Sequence, residues 1–287
     1  MFEGFEIREI EVSTARIHLR VAGDGPPLLL LHGYPQTHAM WHAVAPELAL
    51  THRVVAADLR GYGASRARDG DFTFRAMARD MVEVMGALGA EAFDVIAHDR
   101  GARAAHRMAL DTPGAVRTLA LLDILPTLDV WRTMDDWLAR RYWHWTFLAQ
   151  RTGMPERMIC ADPVAFLHDT LRGLSGALGT FHPDALAAYE AAARQPETVA
   201  AWCADYAAGA DEDVAMDRAD CGATRDTPCL ILWGRKGVVG HHLDPVEAWR
   251  AWFPQATGAS IDAGHFLVEE AHAATLSALQ AHLDTHA

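Results

Sequence analysis

The segment Phe93-Asp94-Val95-Ile96-Ala97-His98-Asp99-Arg100-Gly101-Ala102-Arg103 restricts the fold more than any other part of the chain. An apolar, β-prone run stops abruptly, one acidic residue follows in a tight turn, and small apolar residues then recur at helical spacing (Ala104, Ala105, Met108, Ala109). A strand that turns this sharply into a helix lifts its corner residue above a sheet, the geometry of a nucleophile elbow. The usual form is G-x-S-x-G; here Asp99 stands at the serine and Ala97 at the first glycine. Gly101 keeps the second small position, where a side chain would collide with the neighbouring strand. The aspartate sets the chemistry, because a carboxylate attacks carbon and forms an ester without a base to deprotonate it first. Arg100 and Arg103 add two guanidinium forks beside it, suited to a carboxylate on the substrate.

The rest of the chain alternates strands with helices. Ile7–Val12 and Arg16–Val21 read as a strand pair, and Pro27–Leu31 is apolar on both faces, as a buried parallel strand requires. That strand runs into His32-Gly33-Tyr34-Pro35-Gln36, the loop expected to offer the Tyr34 amide to a developing oxyanion, with the Arg100 amide as the second donor. Met40–Leu50 has helical spacing, and Arg53–Ala57 is a strand ending in the glycine-punctuated loop Asp58–Ser65. Phe74–Leu88 is helical, and Val116–Ile124 is a further buried strand with Asp123 at its C-terminal end. From Pro126 to Gly222 the pattern is helical with no strand; it carries Trp131, Trp137, Trp143, Trp145 and Trp202, most of them expected in an aromatic core. Strand pattern returns at Cys229–Gly234 and Thr257–Ile261, around a helix over Val246–Trp252, and Ala263-Gly264-His265-Phe266 precedes a terminal helix. This order predicts an α/β-hydrolase fold, a mostly parallel eight-stranded sheet with an inserted helical cap. The expected divisions are core over 1–125 and 223–287 and cap over 126–222.

Composition removes several function classes. At 287 residues and 51% hydrophobic, the chain can build one large core. A formal net charge of −13 argues against nucleic acid and against anionic membranes as partners. Cys160, Cys203, Cys221 and Cys229 lack metal-ligand spacing and read as reduced thiols. Met1–Val12 has no apolar signal region and no apolar run approaches the roughly 20 residues that cross a bilayer, so a cytoplasmic location is expected.

Asp99, Asp123 and His265 lie at strand ends in the order nucleophile, acid, base. Among 16 histidines, His265 is singled out by its place between the last strand and the last helix. Behind an aspartyl ester its task is to activate water, oriented by Asp123. Asp244 is the alternative acid, although its place before Pro245 also suits a helix cap.

Taken together, the blocks His32–Leu48, Val54–Gly63, HDRGAR, Leu119–Thr127, Tyr142–Gln150, Cys203–Ala210 and Asp262–Glu270 resemble the fluoroacetate (haloacetate) dehalogenases of the α/β-hydrolase superfamily. The resemblance implies Asp99 as nucleophile, His265 as base and Asp123 as its partner. It implies that Arg100 and Arg103 clamp the carboxylate of a small anionic 2-haloacid, and that His144, Trp145 and Tyr206 from the cap hold the leaving halide. No metal or organic cofactor is implied, and a homodimer is. The segment Leu171–Ala177 has no tryptophan where the family carries one, which implies a roomier pocket open to larger 2-haloacids. An epoxide hydrolase is the nearest rival, with Tyr142, Tyr189 and Tyr206 available to activate an epoxide oxygen. A non-catalytic ligand receptor on this scaffold is a more distant one.

Overall fold

The computed structural model describes residues 1–286. Its centre is one sheet of nine strands: β1 (Glu6–Glu11), β2 (Ala15–Ala22), β3 (Pro27–Leu31), β4 (Arg53–Ala57), β5 (Arg66–Ala67), β6 (Phe93–His98), β7 (Val116–Leu122), β8 (Cys229–Gly234) and β9 (Thr257–Ile261). The order along the sheet is β1-β2-β4-β3-β6-β7-β8-β9, with β5 paired to β2. Every pairing from β4 to β9 is parallel, and β2 is antiparallel to each of its partners. The expected eight strands are therefore one short; β5 is two residues long and shows no alternation in sequence. Leu28–Leu31 and every residue of β6 are buried, because helices cover both faces of a parallel sheet.

The single helix expected over Met40–Leu50 is two pieces, a 3-10 turn at His38–Ala43 and an α-helix at Ala45–Leu48. Pro46 has no N–H to carry the ladder through and instead starts the second piece. Between β7 and β8 the chain forms eight α-helices and one 3-10 turn, from Thr127 to Ala219, and no strand. Three of the helices open on Pro163, Pro183 and Pro196, where the missing N–H would have had no partner. The tryptophans here divide more evenly than expected: Trp202 and Trp145 are buried, Trp131 and Trp137 are partly buried, and Trp143 is 48% exposed. No helix among the described residues is long and apolar enough to cross a membrane.

This topology gathers four loops. Those that follow β3, β6, β7 and β9 leave the same carboxyl edge of the sheet, beneath the helices inserted after β7.

Candidate active site

Asp99 stands at the corner between β6 and the helix Asp99–Asp111, with φ +46°. A left-handed backbone is unfavourable for a residue with a Cβ, and its neighbours hold it there. Two glycines make room. A Cβ on Gly101 would meet the His32 carbonyl oxygen at 2.3 Å, and one on Gly33 would meet the Asp99 Cβ at 2.5 Å. The chain after β3 can therefore lie directly against the Asp99 side chain, and the Tyr34 N–H donates to Asp99 Oδ2 at 2.9 Å. Burial works to raise the Asp99 pKa. His265, His98, Arg100 and Arg103 outweigh it and hold the carboxyl below its ordinary value, so it is ionised.

Asp123 follows β7, also with a left-handed φ of +48°. Its Oδ1 accepts the Gly234 N–H at 2.8 Å, and its Oδ2 lies 2.6 Å from His265 Nδ1. That contact fixes the imidazole with Nε2 free. Burial opposes charge on His265, but the hydrogen bond and charge of Asp123, with the charge of Asp99, raise its pKa above the ordinary value. Asp244 takes no part here: it caps the helix Pro245–Arg250, its Oδ1 accepting from the amides of Val246 and Glu247.

Asp99, His265, His144, Trp145 and Tyr206 line one small cavity. Burial lowers the His144 pKa to about 3 and raises that of Tyr206 far above its ordinary value. Both are therefore neutral hydrogen-bond donors at working pH. The same wall includes Ile124, Leu174 and the Tyr34 side chain, which the sequence had not assigned to the pocket, and Tyr142, which it had offered only to an epoxide reaction. Tyr142 stacks on Trp145, with centroids 5.3 Å apart. Its place directly before the Trp143-His144-Trp145 run was the available signal. Leu174, from the segment that lacks the tryptophan, forms part of the cavity wall.

The two arginines are held differently. Neither lines the cavity. Arg100 is buried against Asp205: Nε donates to Oδ2 at 2.9 Å, Nη2 to the Asp205 carbonyl at 2.8 Å, and Nη2 also to Oδ1. Its guanidinium stacks between Phe74 and Tyr206, 4.5 and 4.2 Å from their centroids. Arg103 donates Nη1 to Thr127 and lies 4.7 Å from the Trp145 ring, while its buried Nε and Nη2 have no partner. Burial and then the Arg100 charge lower its pKa to about 10, which still leaves it cationic at neutral pH. Asp205 was missed because its partner lies 105 residues away; its place next to Tyr206 was the only hint.

One group among the described residues has the spacing to hold a metal ion, His18, His38 and Asp58, and it lies outside the cavity. Asp58 there already accepts the His38 amide and Nδ1 at 2.8 Å each and the Ala64 amide at 2.9 Å, which points to a loop-holding role. All four cysteines are unpaired.

Known proteins share this fold. A family model described as the alpha/beta hydrolase fold matches residues 26–272. A fluoroacetate dehalogenase from Burkholderia sp is 43% identical over 276 residues, 94% of this chain and 90% of that protein. A soluble epoxide hydrolase from Corynebacterium sp. (strain C12) is 31% identical over 263 residues, 90% of each. A solved structure from Nostoc sp PCC 7120, provisionally described as an alpha/beta hydrolase, superposes with a TM-score of 0.96 at 46% identity, covering 99% of both chains.

Proposed function

Since the chain belongs to the α/β-hydrolase family and is fluoroacetate dehalogenase-like over nearly its whole length, we propose that it displaces halide from a short 2-haloacid such as fluoroacetate. The observation that carries this reading is a carboxylate where such folds usually hold a serine, ionised, enclosed, and facing neutral N–H and O–H donors.

The substrate carboxylate is drawn toward the Trp145 wall, against which Arg103 keeps an unpartnered Nε and Nη2, leaving the halogen-bearing carbon toward Asp99. Asp99 attacks that carbon in line. The new C–O bond forms as the carbon–halogen bond breaks, and the halide leaves with the bonding pair. Fluoride is a poor leaving group, so its developing charge needs donors already aimed at it in a site that excludes water. The His144 imidazole, the Trp145 indole N–H and the Tyr206 hydroxyl supply them.

His265 then takes a proton from water as the water attacks the Asp99 ester carbon. The oxyanion rests on the Tyr34 amide, already 2.9 Å from Oδ2, and on the Arg100 amide. The ester splits to the 2-hydroxyacid and a restored Asp99. Timing is built in, because the Asp99 charge is among the influences that raise the His265 pKa. Forming the ester removes that charge, which shifts the His265 pKa downward at the step that needs a base.

The test is halide release from fluoroacetate and chloroacetate, followed by turnover in heavy-oxygen water with less than one equivalent of substrate. Label should enter the peptide containing Asp99 and be absent from the first hydroxyacid formed. Label in that first product instead means direct attack by water. A second reading, epoxide hydrolysis, is favoured by one observation: Tyr142 and Tyr206 both line the cavity, whereas Tyr189 is bonded to Gln36 and Glu269 outside it. Activity on styrene oxide with none on either haloacetate would select it.

A further inference from the structure

The backbone that carries His265 is held from several directions. Glu270 straddles it, Oε2 accepting the Gly264 N–H at 2.6 Å and Oε1 the Phe266 N–H at 3.0 Å. The His265 N–H reaches the Leu174 carbonyl at the longer distance of 3.4 Å. The remaining contact is the least expected. His98, the last residue of β6 and the one directly before Asp99, places Nε2 2.9 Å from the His265 carbonyl oxygen. A carbonyl only accepts, so the imidazole proton sits on Nε2. The His98 ring is fully buried, and burial lowers its pKa to about 3, so it carries that one proton at working pH. Its Nδ1 is then a bare acceptor, enclosed and without a partner. An unsatisfied buried acceptor costs stability, a cost that an apolar side chain at this position would not incur. The ring also packs on His265, with centroids 4.6 Å apart, and on Phe266 at 6.0 Å.

We propose that His98 is a positioning residue whose Nε2–H, fixed to the His265 carbonyl, ties the backbone of the base to the strand that ends in Asp99. The idea rests on His265 being the base of the reaction proposed above. Asp123 sets which way the imidazole turns, through Nδ1, and His98 sets where its backbone stands. Because His98 and Asp99 are adjacent, the two groups that meet across the ester keep one spacing. This division has a kinetic signature. Attack by Asp99 on the substrate makes no use of His265, whereas hydrolysis of the ester does. Loss of the His98 bond therefore falls on the second step.

The experiment compares His98→Phe and His98→Leu, which fill the space without a donor, with His98→Gln, whose side-chain N–H can reach the same carbonyl. Chloroacetate is the substrate. Halide release with enzyme in excess reports the first step, and it is expected within about threefold of wild type in all the variants. Steady-state turnover should fall about 10²-fold in the phenylalanine and leucine variants, the scale of a misplaced group, with the peptide containing Asp99 carrying the ester. Glutamine should recover at least about tenfold of that loss. An equal fall in both steps, which a general loosening of the fold would produce, overturns the proposal. So does turnover near wild type without the donor, or no recovery with glutamine. A crystal structure of the His98→Leu variant decides the matter without turnover, so the proposal stays testable if no haloacid proves to be a substrate. His265 displaced by about 1 Å relative to Asp99 supports it; His265 where the wild type holds it overturns it.

Discussion

Replacing Glu269 by glutamine should change how stability depends on pH more than it changes any visible contact. Glu269 is buried just after the loop that carries His265; its Oε2 accepts from the Tyr189 hydroxyl at 3.1 Å and from the Gln36 amide, while Oε1 has no partner. The nearest cation candidate, His42 Nε2, is 3.8 Å away, and burial lowers its pKa to about 4, so at neutral pH it is uncharged. Burial therefore dominates over Tyr189 and Gln36 and pushes the Glu269 carboxyl up to about 8, from an ordinary value of 4.5. Between those two values the folded chain keeps a proton that the unfolded chain has released. Stability from this residue is thus complete below pH 4.5 and is lost as pH rises toward 8, by about 1.4 kcal/mol per pH unit. By pH 8 the loss is on the order of 4–5 kcal/mol, a large share of the roughly 5–15 kcal/mol typical of a folded domain. Glutamine has nearly the same shape and does not titrate. Urea unfolding of wild type and the Glu269→Gln variant from pH 5 to pH 9 should show the gap moving steadily in the variant's favour and levelling off above about pH 8. Two parallel curves would show that Glu269 is ionised in the folded protein and refute the argument.

Gly33→Ala should lower kcat/KM by about 10²-fold or more without unfolding the protein, since the added Cβ would sit 2.5 Å from the Asp99 Cβ and 2.7 Å from Oδ2 and must displace the nucleophile; wild-type kinetics would contradict the close approach. His265→Gln should release one equivalent of halide and then stop, with the peptide containing Asp99 carrying the ester, whereas continued turnover at more than about a hundredth of the wild-type rate would remove His265 from the hydrolytic step. Asp123→Asn should reduce kcat by about 10²–10⁴-fold, because an amide holds the His265 ring without supporting its charge; near-normal turnover would exclude Asp123 as the orienting acid. Leu174→Ala removes part of the cavity wall and should raise kcat/KM for 2-chloropropionate relative to chloroacetate by roughly 10-fold. An unchanged ratio would mean that another side chain limits substrate size.

Much of the architecture was legible in advance, because the signals that carry it are local. An apolar run of five or six residues, a glycine where two backbones touch, and a turn bearing Asp99 each state their structure within a few positions. Even His265 could be picked out by its place between the last strand and the terminal helical region. What stayed hidden depended on which distant segment covers which side chain. The two-residue β5 exists because Arg66 and Ala67 meet Arg16 and Ala15, and nothing in so short a piece announces a strand.

By itself, then, the sequence determined a parallel α/β sheet with a carboxylate at its elbow, since side-chain period and backbone sterics act over a turn or two. Only the tertiary structure decided that Arg100 spends its donors on Asp205 while Arg103 keeps two in hand, and that Leu174 and Tyr142 help to close a small chamber. A buried charge is governed by whatever partner the fold brings within a few ångströms, and that partner can come from anywhere along the chain.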